Sequence, residues 1–142
     1  MSNEQNKTIV RRFWKAFEAN DLETLNEVLS PDLVARTPSS PNVLNREKLT
    51  QAVAKLDAAF SDRQFTIEDM VADGDQVATR VSMRGVHTGK WQGYAPSGKQ
   101  FFAMVLSIER VKDGKIIDRW FSFDEEWVLR ELGLEYVVPV HV

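Results

Sequence analysis

The chain has 142 residues, 43% of them apolar and 27% charged, with a formal net charge of −3. That size suits one compact domain, expected to span residues 1–142, large enough to bury roughly 68–70% of its unfolded surface. The acidic balance gives no reason to expect nucleic acid or an anionic membrane as partner, and the absence of cysteine excludes disulfides, thiolate nucleophiles and zinc–thiolate sites.

The opening segment "MSNEQNKTIVRRF" carries no apolar signal core, and no apolar run approaches the roughly 18 residues of a membrane span. A cytoplasmic protein is the expectation. In "TIVRRFWKAF", Ile9, Val10, Phe13, Trp14 and Phe17 recur at helical spacing. Asn20 is placed to close that helix and Asp21 to cap the next, whose stripe is Leu22, Leu25, Val28 and Leu29 before Pro31. "PDLVARTPSSPNV" reads as a short extended piece and a loop with two prolines. Asn45 then caps a third helix with the stripe Leu49, Ala52, Val53, Leu56 and Phe60.

After Phe60 the period changes from helical to alternating. "FTIEDMVADGDQVATRVSMRG" holds two β-branched runs joined at Asp73-Gly74-Asp75, a hairpin signal. "QFFAMVLSIERVKDGKIIDRWFSFDEEW" holds two more, joined at Asp113-Gly114, and "EEWVLRELG" is a short helix stopped by Gly133. Three helices followed by a four-stranded antiparallel meander read as α+β. Between the two hairpins lies "RGVHTGKWQGYAPSGKQ", with four of the seven glycines, Trp91, Tyr94 and His87.

Four segments resemble one known family: "FWKAFEANDLETLNEVLSPDLV", "FTIEDMVADGDQVATR", "RGVHTGKWQGYAPSGK" and "RVKDGKIIDRWFSFDEEWVLRELG". Together they make the chain similar to the SnoaL-like polyketide cyclases, or ester cyclases, of the NTF2-like (cystatin-like α+β) superfamily. The resemblance implies an NTF2-like cone, N-terminal helices packed on a curved antiparallel sheet enclosing an apolar cavity. It also implies cofactor-free acid/base chemistry, an intramolecular aldol cyclisation or an isomerisation of a small hydrophobic carbonyl compound, without metal, and a homodimer packed sheet to sheet. Hydrolysis of an epoxide or ester, and a non-catalytic binding or dimerisation module, are the competing functions.

By that resemblance the acid/base aspartate falls on Asp124, at the end of "DRWFSFD". Strand alternation groups Asp118, Trp120, Ser122 and Asp124 on one face, opposite Arg119, Phe121 and Phe123. If Asp124 faces the cavity, Trp120 and Ser122 line it too, and Phe121, Phe123, Leu106 and Ile108 form the outer, dimer-forming face. Asp124 also directly precedes a helix, so helix capping is an equal reading. His87 is read as a pocket-mouth acid/base partner or, preferably, as a residue that holds the loop in shape. Trp91 and Tyr94 are expected on a mobile lid touching substrate, with packing against a neighbouring subunit as the alternative. Trp14 and Phe17 either wall the cavity or are plain core.

Arg80, Arg84 and Ser82 share a face expected to be solvated, and Glu68, Asp69, Asp73 and Asp75 look like surface charge rather than a metal site. His141 is expected in a terminal tail. The chain departs from the family pattern at Ala35-Arg36-Thr37, where relatives carry an Asp-His-type pair. It departs again in "AMVLSIERV", which lacks their histidine and offers Ser107 and Glu109 as the nearest polar residues.

Overall fold

The computed structural model describes residues 2–38 and 40–134; His141 lies outside them. Helix α1 (Asn3–Ala19) opens with a capping box, in which Ser2 accepts from the Gln5 N–H and the Gln5 side chain accepts from the Ser2 N–H. It ends where Asn20 adopts the left-handed conformation (φ 51°), one of the few non-glycine residues suited to it. Asp21 then caps α2 (Leu22–Val28) through the Thr24 N–H, and Asn45 caps α3 (Arg46–Ala59) through the Lys48 N–H. The local chemistry at all three junctions matches the sequence expectation.

Between α2 and α3 the chain departs from it. Instead of a short extended piece and a loop, Leu29–Thr37 (β1) and Ser40–Leu44 (β2) form an antiparallel hairpin. Four more strands follow, β3 (Phe60–Asp73), β4 (Gln76–His87), β5 (Gln100–Lys112) and β6 (Lys115–Phe123), then α4 (Glu125–Glu131). The sheet has six strands in the order β2-β1-β6-β5-β4-β3, and β1 runs parallel to β6. Its prolines hid the hairpin, yet Pro41 costs little on β2, which is an edge strand and needs no ladder donor on its free side.

The helices cover one face of the curved, unclosed sheet. From α1, Val10, Phe13, Trp14 and Phe17 are buried against it, and Phe13, Trp14, Phe17 and Phe65 form a chain of edge-on and tilted ring contacts with centroids 5.2–6.2 Å apart. Each such ring removed from water contributes about 1.5–3 kcal/mol. No helix among the described residues is long and apolar enough to cross a membrane.

The glycine-rich stretch is a tightly fastened connection. His87 exchanges backbone hydrogen bonds with Lys99 and Gly98, and the N–H groups of Thr88 and Gly89 both donate to the Ala59 carbonyl. At Gly89 a Cβ would stand 2.0 Å from the Ala58 carbonyl oxygen, so no larger residue fits without moving backbone. Further on, Trp91 and Tyr94 exchange paired backbone bonds across Gln92 (φ 48°) and Gly93 (φ 86°), the two-residue turn with both central φ positive.

Candidate active site

The site follows from the alternation of β5 and β6. On β5 the residues facing the helices are Phe101, Ala103, Val105, Ser107, Glu109 and Val111, all buried, while Phe102, Leu106 and Ile108 are exposed. The register pairs Glu109 with Arg119, Ser107 with Phe121 and Ile108 with Trp120. Arg119, Phe121 and Phe123 therefore face inward. Trp120, at 46% exposure, looks out with Leu106, Ile108 and Ser122.

This reverses the face expected for the presumed catalytic set. Asp124, Trp120 and Ser122 do not line the interior. Asp124 is exposed and caps α4, accepting the Trp127 N–H at 3.0 Å. Trp120 carries the Arg36 guanidinium on its outer side, 5.2 Å from the ring centre, and Arg36 is itself held by Asp118 at 2.7 Å. The expectation that Phe121 and Phe123 accompany Leu106 and Ile108 on the outer face is overturned in the same way. Alternation defines two faces but does not say which is wet; a run such as Trp120–Phe121–Ser122–Phe123, with an aromatic residue on each face, fits either choice.

What lies inside is a buried ion pair. Arg119 is 2% exposed and Glu109 0%. Glu109 Oε1 accepts the Ser107 hydroxyl at 2.9 Å, while Oε2 stands 3.1 Å from Arg119 Nε. That second contact is off the line of a good hydrogen bond, so Oε2 and Nε are both left without a well-formed partner. Three rings enclose the guanidinium, with Phe13, Trp14 and Phe121 centred 4.7, 5.0 and 4.6 Å from its central carbon. Burial pushes the Glu109 carboxyl above its ordinary range, and the Arg119 charge and the Ser107 hydrogen bond oppose that shift. Burial likewise pulls Arg119 below its usual value, against the attraction of Glu109. A pair so desolvated is weak grounds for stability, because its attraction offsets little more than the cost of leaving water.

Arg119 also lines an apolar cavity of about 110 Å³, walled by Trp14, Phe17, Leu49, Met83, Phe121 and Phe123 among others. Trp14 and Phe17 are thus both core and cavity wall. Ala52, Leu56, Phe121 and Phe123 line both this cavity and an adjoining wider mouth of about 650 Å³ that also touches Lys55, Lys90, Trp91 and Glu125.

The loop residues take defined places at this mouth. Trp91 lies on the mouth but is 6% exposed and packs edge-on against Phe60 at 5.2 Å. Tyr94 is half-buried beside it. His87 is fully buried with its ring against Phe60; its Nδ1 accepts the Ser97 N–H at 3.1 Å and lies 3.0 Å from the Ser97 hydroxyl. With Nδ1 accepting that N–H, the proton of the neutral ring sits on Nε2. His87 does not line the cavity.

Arg80 pairs with Asp69 on the outer face and Arg84 is exposed, while Ser82 donates to Glu68 at 2.7 Å. Among the described residues no cluster of three or more His, Cys, Asp or Glu is arranged to hold a metal ion. The Glu109–Arg119 pair escaped the sequence argument that centred on Asp124. The signal for it was present in "VLSIERV", where Ser107 and Glu109 fall in step with Val105 and Val111.

Comparison with known proteins agrees with this architecture. The aklanonic acid methyl ester cyclase DnrD of Streptomyces peucetius is 25% identical over 134 residues, covering 92% of each chain. Among solved structures, wild-type IdmH of Streptomyces antibioticus, a candidate polyketide cyclase, superposes with a TM-score of 0.81 at 33% identity, covering 92% of this chain and 99% of its own. TsrD of Streptomyces laurentii superposes with a TM-score of 0.82 at 25% identity, over 94% and 98% of the two chains. The sequence profile of the SnoaL-like polyketide cyclase family matches residues 7–132, and the chain belongs to that family.

Proposed function

We propose that this protein closes a ring in, or isomerises, a small hydrophobic carbonyl compound by cofactor-free acid/base chemistry in the cone. One observation carries the reading. Arg119 is the single charged side chain on the wall of the apolar cavity among the described residues, and Glu109, buried behind that wall, stands with Oε2 3.1 Å from the Arg119 Nε. In an aldol closure the carbon next to a carbonyl gives its proton to Glu109, which lies behind the cavity wall and is reached through one intervening water, and the Arg119 N–H donors meet the negative charge that develops on the carbonyl oxygen. The enolate carbon bonds to a second carbonyl carbon of the same molecule. Its oxygen then receives the proton from Glu109, so that no atom is gained or lost. Burial that raises the proton affinity of Glu109 makes it a stronger base than an exposed glutamate. The ester cyclase activity named for DnrD supports the same class of substrate.

A second reading rests on size. The cavity beside Arg119, at about 110 Å³, is smaller than the roughly 300 Å³ at which ligand sites begin, which suits a module that binds a small molecule without transforming it. Turnover distinguishes the two. Compact β-keto esters that carry a further ketone far enough along the chain to close an unstrained ring, and aklanonic acid methyl ester, are incubated with the protein, without metal or nucleotide, and the products are separated by chromatography. The wild type is expected to form a cyclised or isomerised product, and Glu109→Gln to be slowed roughly 10²–10⁴-fold, the worth of a positioned base. Wild-type rates in Glu109→Gln would sink the base assignment; no product from any of these compounds would favour the binding module. For the assembly, we propose a homodimer joined through the outer sheet face, where Phe102, Leu106, Ile108 and Trp120 are exposed together.

A further inference from the structure

We infer that the ligand of the cone carries an ionised oxygen at its buried end, a carboxylate, phenolate or enolate attached to one ring, seated on Arg119. The inference rests on the reading that the cavity is the substrate site, and it specifies the substrate class.

Three features of the molecule lead to it. The first is the state of the guanidinium. It is buried under three rings, its Nε is turned to Glu109 without a well-formed hydrogen bond, and its side chain forms part of the cavity wall. A guanidinium has five N–H donors in a planar fork, so the donors beyond Nε remain to meet whatever enters. An anionic oxygen accepts from them about twice as strongly as a neutral carbonyl. The second feature is size. A cavity of about 110 Å³ is somewhat smaller than the ~150 Å³ apolar cavity known to hold benzene, so it suits no more than one ring and the rest of the ligand extends into the mouth. The third is the sign of the mouth, where Lys55 and Lys90 face a single carboxylate, Glu125. Two cations against one anion at the rim of an apolar funnel raise the local concentration of acids in a protein whose net charge is −3.

Benzoate and its neutral isostere benzamide are the probes. Each is titrated into the whole protein, and the emission of its four tryptophans is followed, of which Trp14 lies on the cavity wall. Benzoate is expected to saturate with a dissociation constant at least tenfold below that of benzamide. The preference should shrink in Arg119→Lys, which keeps a charge but not the fork, and vanish in the double variant Glu109→Leu/Arg119→Met. That pair is replaced as a unit so that the fold does not depend on an unpaired charge, with circular dichroism as the check. Equal affinities for the two probes, tighter benzamide, binding of neither at millimolar concentration, or a benzoate preference that survives the double variant would each overturn the inference. Failure of the catalytic reading is separable, because benzoate binding is measured without turnover. A protein that binds benzoate through Arg119 but transforms no keto ester keeps this inference and loses the activity.

Discussion

Arg119 and Glu109 depend on one another for their charge. Replacing Arg119 alone by methionine leaves the buried carboxylate without its cation, and breaking such a pair costs about 3–5 kcal/mol. The pH dependence has a defined sign. With the Arg119 attraction gone, the folded-state affinity of Glu109 for its proton rises further above the ordinary value of 4.5. Its contribution is then fully present below that pH and is lost as pH rises through the elevated folded value. Urea unfolding of Arg119→Met against wild type should show near-equal stability at pH 4 and a widening deficit toward pH 8; a constant gap would mean that Glu109 does not sense Arg119. The double variant Glu109→Leu/Arg119→Met should recover the loss, since apolar replacement of a buried pair is often neutral or stabilising. At the rim the expectation is different. Asp124→Asn keeps the α4 cap and should leave turnover unchanged, while Asp124→Ala should cost about 1 kcal/mol, read from the midpoint of thermal or urea unfolding.

At the scale of elements, the loop between β4 and β5 is fixed to the junction of α3 and β3. Gly89→Ala drives a methyl group into the Ala58 carbonyl and should lower stability by more than 2 kcal/mol, whereas alanine at Gly98, where a Cβ meets nothing, pays only for its positive φ. Denaturant midpoints of the two variants compare directly. The elements themselves were largely legible in the sequence: Asn20, Asp21 and Asn45 sit at the helix junctions they were expected to mark, and Asp73-Gly74 and Asp113-Gly114 turn the two hairpins. The β1–β2 hairpin was not, because Pro31, Pro38 and Pro41 argue against strands unless the pairing that tolerates them is known. The inward face of β6 was hidden for a related reason. Which side of a strand meets the helices is decided by its neighbours' register, and the Glu109–Arg119 pairing across β5 and β6 fixes it. A lone aspartate at a strand end gave no comparable constraint.

For the whole molecule, the outer sheet face presents Leu106, Ile108 and Trp120 around a shallow groove of about 400 Å³. If two chains meet there, Ile108→Glu should convert a dimer to a monomer in light scattering at micromolar concentration without altering benzoate binding, since Ile108 points away from the cavity. A wild type that is already monomeric would remove the proposed interface. The strand order has a consequence of another kind, for the time course of folding. Strand β1 is made within the first 37 residues, yet the neighbour that pairs with it in parallel, β6, is not complete until residue 123. During synthesis β1 therefore waits with one edge open while some eighty residues emerge, and long-range parallel pairing of this kind is slow to form. The ion pair is completed by the same late event, because Arg119 arrives on β6. A chain cut before β6 would lack the floor of the cone and leave two unpaired strand edges, those of β1 and β5, exposed to other chains.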